Sequence, residues 1–183
     1  MAYKNKIIKN PYTGQSFKFI QTAKDTSGEL LEMETTYRGH SKEPVAHYHP
    51  SQDEDFKVLQ GEVTVRLDGA LKTLRTGDTL HIPRGMVHAM WNRSDREAAV
   101  NWQVRPALDT ENLFEVTTGL AMDGKTKSDG MPGILQVALT IKKYHHVFRM
   151  ARPSYTVQKI VFTLLSPIAY LLGYRATYSK YID

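Results

Sequence analysis

The sequence predicts an all-β core followed by an α-helical C-terminal extension. Three observations predict it. Short apolar or alternating runs recur between residues 15 and 105, with Gly, Pro and Asp-Gly between them. After Arg105-Pro106 the apolar period lengthens from two residues to three or four. The chain has 183 residues, enough for one β domain with its own core plus an appendage.

The strands follow in order. Phe17-Lys18-Phe19-Ile20 begins the series, and Leu30 to Tyr37 is the second run. Asp55 to Leu59 and Glu62 to Leu67 flank a tight turn at Gln60-Gly61, and the latter run alternates apolar and polar as a half-buried antiparallel strand does. Asp68-Gly69 is a hairpin signal before Ala70 to Leu74. Thr79 to Ile82, Val87 to Trp91 and Ala98 to Val104 complete a pattern that implies a sandwich or barrel.

Three helices are expected beyond it. Asp109 or Thr110 caps the first, which carries Leu113, Phe114, Val116, Leu120 and Ala121 and closes at Gly124. Pro132 opens the second, whose apolar stripe runs through Ile134, Leu135, Ala138, Leu139, Ile141 and Phe148 to about residue 150. Pro153 opens the third, with Val157, Ile160, Val161, Leu164, Leu165, Ile168, Leu171 and Leu172. A membrane span needs about 20 apolar residues. The run from Ile160 to Tyr174 is shorter, contains Pro167 and is flanked by Lys159 and Arg175. The expectation is a helix packed on the barrel or on a second subunit, with an interfacial membrane helix as the alternative. The domain division is therefore 1–107 for the β core and 108–183 for the extension.

Composition excludes several classes. There are no cysteines, so disulfides and thiolate metal sites are ruled out. The N-terminal stretch has no apolar signal region, which predicts a cytoplasmic protein. The net charge is +5, and its excess lies in residues 141–183, with seven Lys and Arg against Asp183. A solvated basic helix face accounts for that better than binding to nucleic acid or an anionic membrane.

The chemistry sits between residues 47 and 92. His47 and His49 are two apart, so on a strand they project from one face. Pro50 interrupts the strand after them, and Glu54 opens the next one. His88 arrives from a distant strand after the turn Pro83-Arg84-Gly85. Three imidazoles and a carboxylate suit one divalent transition metal: Fe, Mn, Ni, Zn, Co or Cu. Within the acidic run 53–55, Asp53 could replace Glu54 as ligand through a bulge, and Gln52 could bind directly or support a ligand. His40, His81, His145 and His146 lie outside the pattern and read as structural or exposed. Arg38, Arg66 and Arg105 could bind an anionic substrate group or serve as surface charges.

These residues resemble the two motifs of the cupin superfamily. His47, His49, Glu54 and Gly61 fit G-x5-H-x-H-x3,4-E-x6-G except at its first glycine, where Ser41 stands and Gly39 lies two residues earlier. Gly77, Pro83, Gly85, His88 and Asn92 fit the second motif, G-x5-P-x-G-x2-H-x3-N, completely. Only 15 residues separate Gly61 from Gly77. The resemblance implies a cupin, or jelly-roll, β-barrel with metal ligands His47, His49, Glu54 and His88. Val104 to Leu108, Gly119 to Thr126 and Leu135 to Leu139 further resemble small bacterial cupins with a helical C-terminus. That likeness implies an architecture and no reaction.

With the histidines facing inward, strand alternation sends Met86 and Met90 in beside His88 and Phe56 in beside Glu54. These, with Trp102, form the expected substrate pocket, or else they simply fill the barrel. The functional expectation is a metal-dependent enzyme, most naturally a dioxygenase, acting on a small organic molecule such as an enediol, flavonol or catechol. No separate general base stands out, which leaves that part to Glu54. An isomerase or decarboxylase with a Lewis-acid metal is a second version. The alternative is a cupin that binds a sugar or organic acid without turnover, since fold alone does not decide function. Homodimerisation is expected from the resemblance. A nucleic-acid partner and integral membrane insertion are not.

Overall fold

A computed structural model describes residues 2–182. Eleven strands form two antiparallel sheets, and four helices follow the tenth strand. The first sheet holds β1 (Ile7–Lys9), β2 (Ser16–Gln21), β3 (Leu31–Tyr37), β5 (Asp53–Gln60), β8 (Thr79–Ile82) and β10 (Ala98–Arg105), in the order β1-β2-β3-β10-β5-β8. The second holds β4 (His47–Tyr48), β6 (Glu62–Leu67), β7 (Ala70–Arg75), β9 (His88–Trp91) and β11 (Arg149–Met150), in the order β11-β4-β9-β6-β7. The chain passes repeatedly from one sheet to the other, as a jelly roll does. The sheets face each other as two layers and do not close into a hydrogen-bonded barrel, so the expected barrel is an open one.

Alternation builds the core. Along β3, Leu31, Met33, Thr35 and Tyr37 are buried while the residues between them are half-buried, and β10 repeats the pattern with Ala98, Val100, Trp102 and Val104. Phe19, Val58, Val63 and Val65 complete a continuous apolar filling. Each such side chain contributes about 1.5–3 kcal/mol on leaving water. Two turns set the register. Asp68 and Gly69 both adopt positive φ, the geometry that matches a hairpin to the twist of β6 and β7. Gly61 has φ +72°, and a Cβ there would stand 2.8 Å from the Glu97 carbonyl oxygen, so this motif position admits only glycine without strain.

The helices depart from expectation at two places. The first, α1 (Thr110–Met122), begins after Asp109 and ends before Gly124 as expected. The second, α2 (Ile134–Lys143), stops well short of residue 150. Tyr144 caps it through a hydrogen bond to Thr140, and Tyr144 and Val147 are buried against Leu113. The chain is thereby turned back to the β core, where β11 pairs with β4. The third, α3 (Tyr155–Leu171), runs through Pro167 and buries Gln158, Phe162, Ser166 and Ala169. Most of its expected apolar stripe is on the other side and open to solvent. A short α4 (Ser179–Ile182) returns to α1, where Tyr181 packs against Gly119. Among the described residues no helix is long and apolar enough to cross a membrane.

Candidate metal centre

The strand pairing delivers the histidines. His47 on β4 is the direct cross-strand partner of His88 on β9, and their ring centroids lie 4.4 Å apart. His49 follows on the same face, 5.1 Å from His47 and 5.3 Å from His88. Each imidazole presents a ring nitrogen to one point, and the three nitrogens lie within 4.8 Å of one another. Glu54, at the start of β5 in the opposite sheet, borders this group through two of its members. Its Oε1 is 3.3 Å from His49 Nε2, and its Oε2 is 3.0 Å from His88 Nε2. Of the two adjacent acids, Glu54 faces the histidines and Asp53 turns outward to Arg84, 2.7 Å away.

Backbone carbonyls orient all three rings. His47 Nδ1 meets Val45 O at 3.0 Å, His49 Nδ1 meets Val147 O at 2.7 Å, and His88 Nδ1 meets Met86 O at 3.0 Å. A carbonyl only accepts, so each Nδ1 carries the proton and each neutral ring keeps its lone pair on Nε2. Metal-binding histidines are oriented in this way. His49 Nε2 and Glu54 Oε2 are buried and have no hydrogen-bond partner among the described residues. The Oε2 contact with His88 is close enough for charge attraction but off the hydrogen-bond direction. Buried polar atoms are normally satisfied, so two neighbouring unsatisfied acceptors fit a cation. The residues present therefore suit a divalent transition metal bound through nitrogen and oxygen.

The electrostatics agree. Burial holds His47 well below the ordinary histidine value, with His88 and His49 adding to the effect. Burial also lowers His49, against the pull of Glu54. At His88 burial acts downward too, but contact with Glu54 outweighs it and the value rises. Burial alone would raise Glu54, yet His49 and then His88 bring it down to about 2, so it is a carboxylate at any physiological pH.

The neighbours divide into support and cavity. Trp102 Nε1 donates to Glu54 Oε1 at 3.0 Å while its ring stacks on Phe56 at 5.3 Å. Gln52, fully buried, donates from Nε2 to Pro106 O, Ala107 O and Thr110 Oγ1 within 3.0 Å, so it fastens the β10–α1 junction. Phe56, Met90 and Trp102 belong to the core, and Met86 packs against it. Met90 also lines a cavity of about 450 Å³ with Tyr37 and Trp91. Another cavity of about 250 Å³ opens beside His47, between the sheets and the helices. Phe17, Leu113, Phe114, Ile141, Phe148 and Met150 supply its apolar wall. Phe148 stacks on His47 with centroids 4.6 Å apart. Sequence reasoning missed these residues as site residues. The available signal was Phe148, whose place at the end of the α2 stripe leaves it beyond the helix. Of the arginines, Arg66 pairs with Glu43 and Arg105 with Asp55. His40, His81 and His146 pair with Asp95, Asp55 and Asp109, away from the centre.

Comparison with known proteins agrees with this geometry. Residues 33–104 match the family model described as Cupin domain. A probable oxidoreductase, virH, of Hypocrea virens is 24% identical over 189 residues, spanning 93% of this chain and 84% of its own. Quercetin 2,3-dioxygenase of Bacillus subtilis is 31% identical over 75 residues, 41% of this chain and 22% of the enzyme. Other curated relatives match over 51 to 72 residues, so the chain spans about half their length. Among solved structures, KdgF from Halomonas sp. aligns with TM-score 0.50 and 19% identity, covering 57% of this chain and 89% of that one. That likeness is one of fold. With both motifs assembled on adjoining strands and the family model spanning them, residues 33–104 form a cupin domain.

Proposed function

We propose that the protein is a metal-dependent enzyme of the dioxygenase type, acting on a small organic substrate, with one divalent transition metal held by His47, His49, His88 and Glu54. The carrying observation is the set of three Nδ1-to-carbonyl contacts, which turns three Nε2 lone pairs toward one point beside a buried carboxylate. The names of two relatives, a probable oxidoreductase and a dioxygenase, support the reaction class.

A bound Fe, Mn, Ni, Co, Zn or Cu ion would supply Lewis-acid or O2-binding chemistry at coordination positions that four protein ligands leave open. The chain's own residues do the rest. His47 and Phe148 form the cavity end of the centre, and the stacked rings keep water from that edge. Phe17, Phe114 and Ile141 wall a space suited to a flat apolar body with one polar edge toward His47. Glu54 is the nearest carboxylate able to take a proton from a substrate hydroxyl, and Trp102 keeps its other oxygen in place. On this reading residues 1–107 are the β unit, and residues 108–183 are an extension that walls its cavity.

The test is metal content by mass spectrometry on native, untagged protein purified without chelator, followed by O2 uptake with catechols and flavonols. About one equivalent of metal per chain and substrate-dependent uptake are expected. Failure to hold metal after reloading would overturn the reading. Ligand-induced stabilisation without O2 uptake would make the protein a small-molecule binding module.

A further inference from the structure

The exposed apolar face of α3 is not used by the metal centre. Val157, Ile160, Val161, Leu164, Ile168 and Leu171 recur at helical spacing, and all six are exposed, Leu164 at 69% and Leu171 at 88%. At 3.6 residues per turn they share one sector of roughly 100–120°. The other side of α3 is the one that packs on the protein, through Gln158, Phe162, Ser166 and Ala169. An uncovered apolar face of this length marks an interaction surface.

Charge identifies the partner. Residues 130–182 contain seven Lys and Arg and no Asp or Glu. Lys142, Lys143, Arg149, Arg152 and Lys159 have no carboxylate partner among the described residues. The Arg175 guanidinium donates to the carbonyls of Tyr170 and Tyr174 and meets no carboxylate among the described residues, so its charge also is uncompensated. Those two tyrosines are themselves exposed at the C-terminal end of the face. Tyrosine at the edge of an apolar helix face, with unneutralised cations nearby, is the arrangement of a helix lying in a membrane interface. A second copy placed on the face would bring two such acid-free basic segments together without counter-charge, which disfavours that occupant.

We infer that α3 docks the protein peripherally on an anionic lipid bilayer, with the helix axis in the plane of the interface. Its 17 residues make a helix about 25 Å long. The leucines and isoleucines enter the acyl boundary, and the basic residues face the headgroups.

Co-flotation of the full-length protein tests this with vesicles of about three parts phosphatidylcholine to one part phosphatidylserine, against pure phosphatidylcholine. Flotation with the anionic vesicles is expected, falling at least about fivefold on pure phosphatidylcholine or on raising salt from about 0.1 M to 0.5 M. The variant carrying Leu164→Glu and Ile168→Glu changes only solvent-facing side chains and should lose flotation while keeping its metal content. The inference is overturned by absence of flotation with every vesicle, or by flotation that survives both glutamates. It is equally overturned by a dimer in sedimentation equilibrium that the double variant dissociates, since a second copy would then cover the face.

Discussion

His49 donates a hydrogen bond from Nδ1 to the carbonyl of Val147, 2.7 Å away and 98 residues further along the chain. The contact joins the β core to the segment between α2 and β11. It also fixes the tautomer of a buried imidazole, so the extension takes part in building the centre. His49→Ala should therefore remove a ligand and the inner end of this link together. We expect metal content to fall from about one equivalent to below about 0.1, with the two-sheet core intact. Mass spectrometry with far-ultraviolet circular dichroism checks both parts. Full occupancy in the variant would exclude His49 as a ligand.

Trp102 holds Glu54 through its indole N–H. Replacing it with Phe retains an aromatic ring against Phe56 and removes the donor to Glu54 Oε1. A hydrogen bond to a charged group is worth about 1.5–3 kcal/mol, and support of this kind alters metal affinity by about 10–100-fold. Denaturant unfolding of chelated Trp102→Phe should show the first loss, and competition with a chromophoric chelator the second. An unchanged affinity would mean that Glu54 is held by its histidine neighbours alone.

The strands and the ligand frame were legible because both rest on short-range rules. Period-two alternation marks β3, β6 and β10, and the spacing of His47, His49, Glu54 and His88 survives any uncertainty in packing. What was illegible depends on contacts between distant segments. Asp53 and Glu54 are adjacent and chemically alike, and only the position of Arg84 shows which one turns outward. The stripe of α2 continues in sequence to Phe148, yet burial of Tyr144 and Val147 against Leu113 ends the helix at Lys143. That turn brings Phe148 onto His47, so the cavity wall could not be read from the β motifs. On α3 the period was legible, while the side packed within the chain carries Gln158 and Ser166, which no apolar pattern marks.

The cavity beside His47 can be filled without touching a ligand. Ile141 is half-buried on α2 and contributes to the wall. Ile141→Trp should occupy much of the space, lowering kcat/KM for a dioxygenase substrate by about 100-fold, as misplacement of a reacting group does. Metal content should stay at the wild-type level. Equal activity in the variant would show that substrate reaches the centre by another side.

Protons compete with metal at this centre, and the direction can be worked out group by group. His47 and His49 sit below the ordinary value because burial disfavours their charged forms. Both are neutral near pH 7 and ready to ligate. His88 is raised above its ordinary value by Glu54 despite its burial. Metal binding displaces any proton that His88 holds, so calorimetry in buffers of different ionisation enthalpy should detect a proton release that grows as pH falls. The same shifts govern stability of the chelated protein. For His47 and His49 the folded value is depressed, so their contribution is present above pH 6.5 and is lost as pH falls below it. His88 has the opposite sign: its contribution is present below 6.5 and is lost as pH rises through its raised value. Glu54 stabilises above its ordinary value of 4.5, and that contribution disappears as pH falls toward 2. Asp25, Glu43, Asp53 and Asp123 are lowered too and share this acid limb, so unfolding midpoints should fall between about pH 4.5 and 2 less steeply in Glu54→Gln than in the wild type. An acid limb equally steep in both would remove the support for a charged Glu54 in the centre.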